Sequence, residues 1–264
     1  MTLRCKKASN IHESEPDQSK SHADYKEYKA NRSAPPDELY PQLPRLKEAL
    51  QVFNVAMFEL DGYEADDIIG TLAEKAESNP QMHTLILTGD RDAFQLVTAK
   101  THVIAPVKGV SEVATYTPAF VHEKTGLRPD QIVDYKALKG DPSDNIKGVP
   151  GIGEKGAVDL LQKYGHLENI YAHLEELSPG MRKKLEVGEQ DSIFSKKLAT
   201  IIKDVPLEMH LENCRLTRAP YEKARAIFET CEFKSLLKQL EGETLKDLIE
   251  PQPVEKKEEQ QAMF

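Results

Sequence analysis

The sequence predicts an α/β protein in which a mostly parallel sheet is followed by a purely helical region. Apolar, β-branched runs alternate with segments of helical periodicity between residues 55 and 140. After Gly140 the apolar residues recur mainly at three- and four-residue steps, the spacing of one helix face. Strands that alternate with helices and then give way to helices alone indicate a sheet domain with a helical region after it.

Composition and length divide the chain into four parts. Residues 1–24 are polar and aperiodic, and residues 250–264 form a charged tail, so we expect both to be disordered. Between them we expect an α/β domain at 25–140 and a helical subdomain at 141–249. Hydrophobic residues make up 39% of the 264 positions, which is enough for a sizeable core.

Several protein classes do not fit the sequence. No apolar run approaches the roughly 20 residues of a membrane span, and no apolar stretch follows the first basic residues as in a secretory signal. Cys5, Cys214 and Cys231 form no CxxC pattern, which indicates reduced thiols and a cytoplasmic protein. No GxxxxGK[ST] motif is present, which argues against an ATP-driven motor.

The first elements are predicted from aromatic, leucine and proline spacing. Residues 25–32 have helical spacing, and Pro35-Pro36 ends that run. A helix restarts near residue 37, since leucines recur at positions 39, 43, 46 and 50. Residues 55–60 have the character of a buried strand, and a helix begins at Glu64.

Three further strands are predicted in the first half. Thr84–Thr88 is a continuous apolar and β-branched run, as in a parallel strand that is covered on both faces. Residues 102–105 form the next strand. A turn at Lys108-Gly109 then lets residues 112–116 return as a hairpin partner.

The rest of the chain is predicted to be helical, from prolines and glycines at helix ends and from the apolar spacing. The predicted helices run from Thr117 to Gly126 and from Pro129 to Gly140, and then over 157–164, 167–177, 179–186, 191–202 and 221–241, with a short strand at 205–209.

Three acidic clusters lie at predicted element ends. They are Glu64, Asp66 and Asp67 at a helix start, Asp90 and Asp92 after a strand, and Asp141 and Asp144 after Gly140. Each has a structural explanation by itself, because acids complement a helix N-terminus and aspartates are common in turns. Together they indicate a cation site, since Mg²⁺ prefers oxygen ligands and ligands bind at the carboxyl ends of strands in open α/β sheets. Two ions about 4 Å apart can activate a water and stabilise the leaving oxygen of a phosphodiester.

A glycine-rich turn follows the third acidic cluster. Residues 148–153 are Gly-Val-Pro-Gly-Ile-Gly, flanked by Lys147 and Lys155. Glycine lets a backbone approach a phosphate closely, and the start of the next helix offers free N–H groups. We expect contacts to a nucleic-acid backbone here, which fix position without reading sequence. The alternative is a plain turn between helices.

A basic and aromatic group precedes the sheet. Tyr28, Lys29 and Arg32 fall within one predicted helical turn, which suits phosphate contact and stacking on an unpaired base. The alternative is a solvated helix face. The net charge of −9 argues against a nucleic-acid partner. However, acids that hold metal or lie in the tail do not set the charge of a groove.

These segments together resemble the 5′-nuclease domain of bacterial DNA polymerase I, of the flap endonuclease and 5′–3′ exonuclease superfamily. The resemblance rests on Gly62–Ala73, Leu87–Asp92, Leu138–Gly156 and Tyr28–Arg32, and extends from about His22 to about Leu240. It implies a PIN-like α/β domain and a helix–hairpin–helix subdomain. It also implies two-metal hydrolysis, with Mg²⁺ or Mn²⁺, of DNA at 5′ flaps, nicks and RNA primers during replication and repair.

The resemblance implies roles for the matched residues. The metal ligands would be Glu64, Asp66, Asp67, Asp90, Asp92, Asp141 and Asp144. Lys29 and Arg32 would contact the scissile phosphate, with Tyr28 beside them. The hairpin would grip duplex DNA, together with K⁺, through Lys147, Gly148, Val149, Gly151, Ile152, Gly153 and Lys155.

The N-terminal segment departs from the family pattern. The family begins with two buried strands that each end in a metal-binding Asp, and neither is found before Tyr25, where Ser14 takes the place of the second Asp. We therefore expect a sheet that is incomplete at the N-terminus and a weakened nuclease. One alternative is a catalytically defective protein that binds branched DNA through the hairpin. A PIN-type RNase is less favoured, because the hairpin subdomain suits duplex DNA.

The end of the sequence predicts a protein partner. Residues Gln260–Phe264, Gln-Gln-Ala-Met-Phe, resemble the short peptide by which bacterial replication proteins dock on the sliding clamp. The alternative is a chance match within a charged tail.

Overall fold

The computed structural model describes residues 25, 27–32, 34–109 and 112–241, and these form two units. The larger unit contains the described residues up to 34 together with 58–208, and the smaller contains 35–57 and 209–241. The predicted domain boundary at residues 140 and 141 therefore falls inside the larger unit. The segments predicted to be disordered, 1–24 and 250–264, lie outside the described residues.

The helices and strands follow the predicted alternation. The helices are α1 Gln42–Val52, α2 Ala65–Glu77, α3 Pro118–Thr125, α4 Ile132–Lys139, α5 Glu154–Tyr164, α6 Leu167–Ala172, α7 Pro179–Ala199, α8 Tyr221–Thr230 and α9 Lys234–Glu241. The strands are β1 Thr84–Leu87, β2 Thr101–Lys108 and β3 Glu112–Tyr116. Short 3₁₀ turns at Asp37–Leu39, Arg91–Leu96, Pro129–Gln131, Leu174–Glu176 and Leu211–Cys214 connect them.

The sheet of the larger unit is mixed and has the order β1–β2–β3. β1 runs parallel to β2, with Thr84 opposite Thr101, and β2 pairs with β3 antiparallel, so the predicted hairpin is confirmed. Ile86 and Val103 face a core that continues through Leu138 into the helices. The α/β sheet followed by helices is thus confirmed.

The prediction that the strand at Thr84–Thr88 is covered on both faces is wrong within the described residues. Leu85 is 58% exposed and Leu87 is 65% exposed, whereas Ile86 between them is buried. The reason is that β1 is an edge strand here, with β2 as its one partner among the described residues. The run has apolar side chains on both faces of the strand, but the described residues cover only the face that carries Ile86.

Two predicted strands and one predicted helix are also wrong. Residues 55–60 and 205–209 have no strand pairing with another described segment and run as irregular backbone. Residues 27–31 form a turn instead of a helix. Lys29 has a φ of 57°, which is a left-handed conformation that a helix cannot contain.

Helix boundaries differ from the prediction at two places. The predicted helices 179–186 and 191–202 are the single helix α7, and Gly188 inside it allows close packing instead of a break. A Cβ at Gly188 would lie 2.8 Å from Cγ1 of Val149. The predicted helix 221–241 is broken between α8 and α9, where Glu232 has a φ of 53°.

Each unit has its own core. The larger core includes Phe94, Val121, Leu161 and Leu185. The smaller core centres on Phe228, whose ring stacks on Phe53 at 5.3 Å between centroids. No helix in the described part of the chain is long and apolar enough to cross a membrane.

Candidate metal-binding active site

The three acidic clusters meet in the larger unit. One small cleft is lined by six of the seven predicted metal ligands, Glu64, Asp66, Asp67, Asp90, Asp92 and Asp144. The seventh, Asp141, offers an oxygen that lies within 4.8 Å of ligand atoms on Asp92 and Asp144. Acids that are up to 80 positions apart in the sequence thus lie side by side.

The first cluster is held by the N-terminus of α2. The backbone N–H of Glu64 donates to Oδ2 of Asp67 at 3.0 Å, and the N–H of Ile202 donates to Oδ1 of Asp67 at 2.9 Å. Both oxygens of Asp67 are therefore engaged by backbone, as in a capping box. Capping of the N-terminus of α2 explains Asp67 better than the predicted ligand role does, because a ligand oxygen of Asp67 would have to leave its N–H partner.

Glu64 and Asp66 have the electrostatics of cation ligands. Oε1 of Glu64 is buried without a hydrogen-bond partner among the described residues, while Oε2 accepts from Nζ of Lys29. Burial raises the pKa of Asp66 to about 6, and repulsion from Asp90 and Glu64 adds to the shift. An orphaned oxygen and a crowded carboxylate both favour a positive charge in the cleft.

The second cluster is held by the turn after β1. Thr88 Oγ1 accepts from the N–H of Asp90, and Asp90 Oδ1 accepts from the N–H of Asp92, each at 3.0 Å. The Asp-x-Asp sequence therefore caps the 3₁₀ turn that begins at Arg91. This places both carboxylates at the carboxyl end of the strand, where the sequence analysis expected them.

Lys136 joins the second cluster to the third, and the sequence analysis missed it. Its Nζ pairs with Asp92 and lies 2.6 Å from Oδ2 of Asp141. Burial opposes the charge of Lys136, but the two carboxylates outweigh it and raise the pKa of the ammonium. Burial acts to raise the pKa of Asp141, yet hydrogen bonds from Lys136 and Ser143 hold it at about 2. The sequence held one signal for this role, which is that Lys136 lies on the predicted helix that ends just before Asp141.

The third cluster is held by a tight loop. Asp141 and Ile146 exchange two backbone hydrogen bonds of 2.9 Å, so the loop closes on itself. Oδ1 of Asp141 accepts from the N–H of Ser143 at 2.9 Å. Asp144 is buried inside this loop.

A basic turn, residues 27–32, is fastened to the same loop. The N–H of Lys29 donates to the carbonyl of Asp144 at 3.0 Å, and Asn31 Nδ2 donates to the carbonyl of Pro142 at 2.5 Å. Asn145 Nδ2 returns a hydrogen bond to the carbonyl of Glu27 at 2.7 Å. The guanidinium of Arg32 pairs with Asp144, so both predicted phosphate-contacting residues lie at the acidic cleft.

Tyr28 anchors the basic turn. The ring is 5% exposed and packs with Ile146, Leu198 and Ala199, and its burial raises the pKa of the phenol. In this arrangement the ring has no exposed face on which a base could stack. The predicted base contact would require Tyr28 to leave the core.

The glycine-rich hairpin lies directly beside the third cluster. A Cβ at Gly148 would lie 2.3 Å from the carbonyl carbon of Lys139, and the N–H of Val149 donates to the carbonyl of Leu138 at 2.8 Å. Gly148 is therefore needed for close contact with the end of α4. Gly140, with a φ of 82°, completes this backbone junction.

The remaining hairpin positions divide into core and surface. Val149 and Ile152 are 2% and 5% exposed, and their N–H groups donate to the carbonyls of Leu138 and Val149, so in this arrangement neither predicted contact residue is open to a ligand. Lys147, Gly151, Gly153 and Lys155 are exposed, and no described side chain caps the N–H groups at Gly153 where α5 begins. Lys184 on α7 donates to the carbonyl of Gly151 at 2.8 Å, a contact that the sequence analysis did not include.

The residues present fit a divalent cation. The donors are hard carboxylate oxygens, which suit Mg²⁺ or Mn²⁺. The described cluster contains neither a thiolate nor an imidazole, which softer metals favour.

Two family models match this chain, one after the other along the sequence. A family model described as the 5′–3′ exonuclease N-terminal resolvase-like domain matches residues 7–126. A second, described as the 5′–3′ exonuclease C-terminal SAM fold, matches residues 127–222.

DNA polymerase I sequences are similar to this chain over part of their length. The Bacillus caldotenax enzyme is 42% identical over 222 residues, which are 84% of this chain and 25% of that protein. The thermostable DNA polymerase I of Thermus thermophilus is 42% identical over 216 residues, 82% of this chain and 25% of that one. The chain thus spans about a quarter of the length of these relatives.

Solved structures show the same fold. A bacteriophage T5 flap endonuclease in complex with DNA and metal ions has a TM-score of 0.58 and 19% identity, covering 84% of this chain and 79% of that one. The catalytic core of Rad2 in complex with a DNA substrate has a TM-score of 0.53 and 16% identity, covering 81% and 73%. With both domain models matched in order along residues 7–222, the chain belongs to the 5′–3′ exonuclease family.

Proposed function

We propose that this chain is a metal-dependent 5′ nuclease that cuts DNA at 5′ flaps, nicks and RNA primers. The observation that carries the proposal is the meeting of three acidic clusters beside a basic turn and a glycine-rich hairpin. That combination suits phosphodiester hydrolysis, which needs metal ligands, a hold on the cut phosphate and a hold on the duplex.

The proposed ligands of two Mg²⁺ or Mn²⁺ ions are Glu64, Asp66, Asp90, Asp92, Asp141 and Asp144. When bound, such ions polarise a phosphodiester and lower the pKa of a water. We assign Asp67 the support of Glu64, because its oxygens hold the capping box and the N–H of Ile202. Lys136 keeps Asp92 and Asp141 together.

Lys29 and Arg32 would bind the scissile phosphate. Both are paired with carboxylates of the cleft, so their charged groups lie beside the proposed metal ligands. Charge-assisted hydrogen bonds to phosphate are among the stronger polar contacts in proteins. Because the basic turn is hydrogen-bonded to the Asp141–Ile146 loop, the phosphate would be held at a fixed distance from the ligands.

The hairpin would hold the duplex backbone. Lys147 and Lys155 flank exposed N–H groups at the start of α5, an arrangement that favours phosphate. The K⁺ implied by the resemblance stays a prediction. Lys184 already brings a cation to the carbonyl of Gly151.

A cleavage assay tests the proposal. We expect a labelled 5′-flap duplex to be cut with Mg²⁺ and to stay intact with EDTA. The double variant Asp141→Ala, Asp144→Ala should lose cutting but retain flap binding in Ca²⁺. Glu123→Ala, which removes an exposed acid of α3, serves as the control and should cut like the wild type. Cutting that persists in EDTA, or in the double variant, would remove the acidic cleft from the reaction.

One observation favours a second function, binding of branched DNA without cutting. Lys29, Arg32 and Lys136 pair with Glu64, Asp144, Asp92 and Asp141, so these cations stabilise the cluster by themselves. Flap binding in Ca²⁺ with no cutting in either Mg²⁺ or Mn²⁺ would favour this function over the nuclease.

The sliding clamp is a further proposed partner. Its docking peptide, Gln260–Phe264, lies outside the described residues, so support comes from the sequence alone. Deletion of these five residues should abolish capture by an immobilised clamp, and unchanged capture would exclude this peptide as the docking site.

A further inference from the structure

A groove in the smaller unit is apolar and is left open by the described residues. Its volume is about 300 Å³. Leu50 and Phe228 in it are 7% and 6% exposed, whereas Leu46, Leu216 and Phe233 are 40%, 40% and 41% exposed. Exposed apolar patches mark places that another segment or molecule covers. Nine of the ten described lining residues of this apolar groove have apolar side chains, namely Leu46, Ala49, Leu50, Phe53, Val55, Leu216, Phe228, Phe233 and Leu236.

The chemistry of the apolar groove favours an apolar occupant. Its tenth described lining residue is Thr217, whose Oγ1 accepts a hydrogen bond from Nδ2 of Asn54 at 2.8 Å. The one polar side chain of the described lining is therefore already satisfied. The ring of Phe228 packs with the rings of Phe53 and Phe233, at 5.3 and 6.2 Å between centroids. An occupant would gain mainly from the burial of its own apolar surface against these rings.

The sequence after α9 supplies apolar residues with a fitting pattern. Leu245, Leu248 and Ile249 are spaced by three residues and then one, which places them on one face of a helix. They follow the last residue of α9, Glu241, after a connection of three residues that begins with Gly242. Glycine is the residue that most readily allows a chain to reverse.

The length of the connection is sufficient for the chain to return to the apolar groove. Leu236, which lines the groove, lies five residues before Glu241 on α9, a distance of about 8 Å along a helix. The three residues 242–244 span about 10 Å when extended. A segment that reverses at Gly242 can therefore place Leu245 level with the groove.

The charges of the groove and of the segment are of opposite sign. The exposed Arg215 and Arg218 lie on either side of the lining residues Leu216 and Thr217. Residues 243–250 contain three acids and one lysine. Exposed ion pairs contribute little energy, but they orient a segment on its binding surface.

We propose that residues Leu245–Ile249 occupy the apolar groove of the same chain. Leu245, Leu248 and Ile249 cover the exposed edges at Leu46, Leu216 and Phe233. This inference goes beyond the nuclease function, because it concerns how the chain is held after α9.

The proposal also sets the reach of the proposed clamp peptide. With residues 245–249 bound, the ten residues 250–259 connect the folded unit to Gln260–Phe264 and reach at most about 35 Å. Without this contact, the eighteen residues 242–259 would reach about 60 Å.

An introduced tryptophan tests the proposal in the full chain, which contains no tryptophan of its own. Leu248→Trp should emit at shorter wavelength, and be quenched several-fold less by acrylamide, than the matched control Val254→Trp. Addition of Leu216→Asp should return Leu248→Trp to the emission and quenching of the control. Addition of Leu39→Asp should not, because Leu39 is 42% exposed but does not line the groove.

Three results would overturn the proposal. Equal emission and quenching for Leu248→Trp and Val254→Trp would show that the segment is not buried. Protection that survives Leu216→Asp would place the segment on another surface. Protection that is lost on dilution would mean that the groove binds the segment of a second copy.

Hydrogen exchange of the wild-type protein gives a measurement that does not depend on the stability of a variant. Amides of residues 245–249 should exchange at least about 10-fold more slowly than those of residues 254–259. Equally fast exchange in the two segments would overturn the proposal. Neither measurement uses DNA, a metal ion or the clamp, so a failure of the nuclease function would leave this assignment standing.

Discussion

Asp66 illustrates the conflict between stability and function at the level of one residue. Its carboxylate is half-buried among acids, and its pKa of about 6 is above the ordinary value of 3.8. A raised pKa means that folding favours the protonated form. The free energy of unfolding therefore falls as the pH rises from about 4 through 6, and the cost is fully present above that.

We predict that Asp66→Asn stabilises the protein in EDTA at pH 7.5. Removal of the charge should raise the free energy of unfolding by about 1–2 kcal/mol, which is discounted from the full pKa shift because the group is partly exposed. The same change should shrink the rise in melting temperature on addition of Mg²⁺. Thermal unfolding with and without Mg²⁺ measures both effects.

Asp61→Asn is the control, since Asp61 is exposed outside the cleft. A destabilised Asp66→Asn protein in EDTA, or an unchanged response to Mg²⁺, would contradict the electrostatic explanation and the ligand role respectively.

The residue types of the sequence predicted which acids lie in the cleft, but not which other side chains pack against or pair with them. Carboxylates at strand and helix ends indicate metal binding by their chemistry, and the structure brings these acids together. Lys136 was missed, and Tyr28 was predicted to stack on a base although it is buried, because a lysine or tyrosine in the sequence does not show what it will pack against. Both derive their roles from contacts with distant residues.

At the level of elements, the hairpin packs against the end of α4, backbone against backbone. Gly148 lies against the backbone of Lys139 and Gly140, whereas a Cβ at Gly153 would meet no described atom within 4 Å. The two glycines therefore offer a matched pair of substitutions in one short segment.

We predict that Gly148→Ala destabilises the protein by about 2–4 kcal/mol, because a methyl group must push the hairpin away from α4. Gly153→Ala should change stability by about 0.5 kcal/mol or less. Chemical denaturation of the two variants provides the comparison. Similar losses at both positions would mean that glycine is required here for backbone freedom and not for contact.

The periodicity of apolar residues predicted the main helices and strands. It failed where contacts between distant residues decide whether a segment is a helix, a strand or irregular. The strand at Thr84–Leu87, the hairpin at 112–116 and most of the helices follow from local pattern. The sequence predicted a break between residues 186 and 191 where α7 is continuous, and Gly188, which lies in that interval, is explained by the close approach of Val149. Residues 55–60 have strand character but no described strand to pair with.

At the level of the whole molecule, the net charge of −9 opposes DNA binding. The acidic cleft concentrates part of that charge where a phosphate would enter. Divalent cations should therefore govern affinity as well as chemistry.

We predict that replacing Ca²⁺ by EDTA at constant ionic strength weakens flap binding by about 10-fold or more. In EDTA, the variant Asp141→Asn, Asp144→Asn should bind the flap more tightly than the wild type, since two repelling charges are gone. Anisotropy titrations measure both. Equal affinity with and without Ca²⁺ would place the DNA away from the acidic cleft.

The contact between Gly140 and Gly148 also has a consequence for the products of the reaction. Asp141 follows the first glycine and the hairpin begins at the second, and their backbones touch. The hairpin proposed to hold the duplex and the loop that carries the proposed metal ligands Asp141 and Asp144 are therefore joined by a backbone contact and not by a flexible linker. Such a junction fixes the distance between the two sites. Each cut should therefore fall a constant number of nucleotides from the end of the bound duplex, which gives one dominant fragment length instead of a ladder.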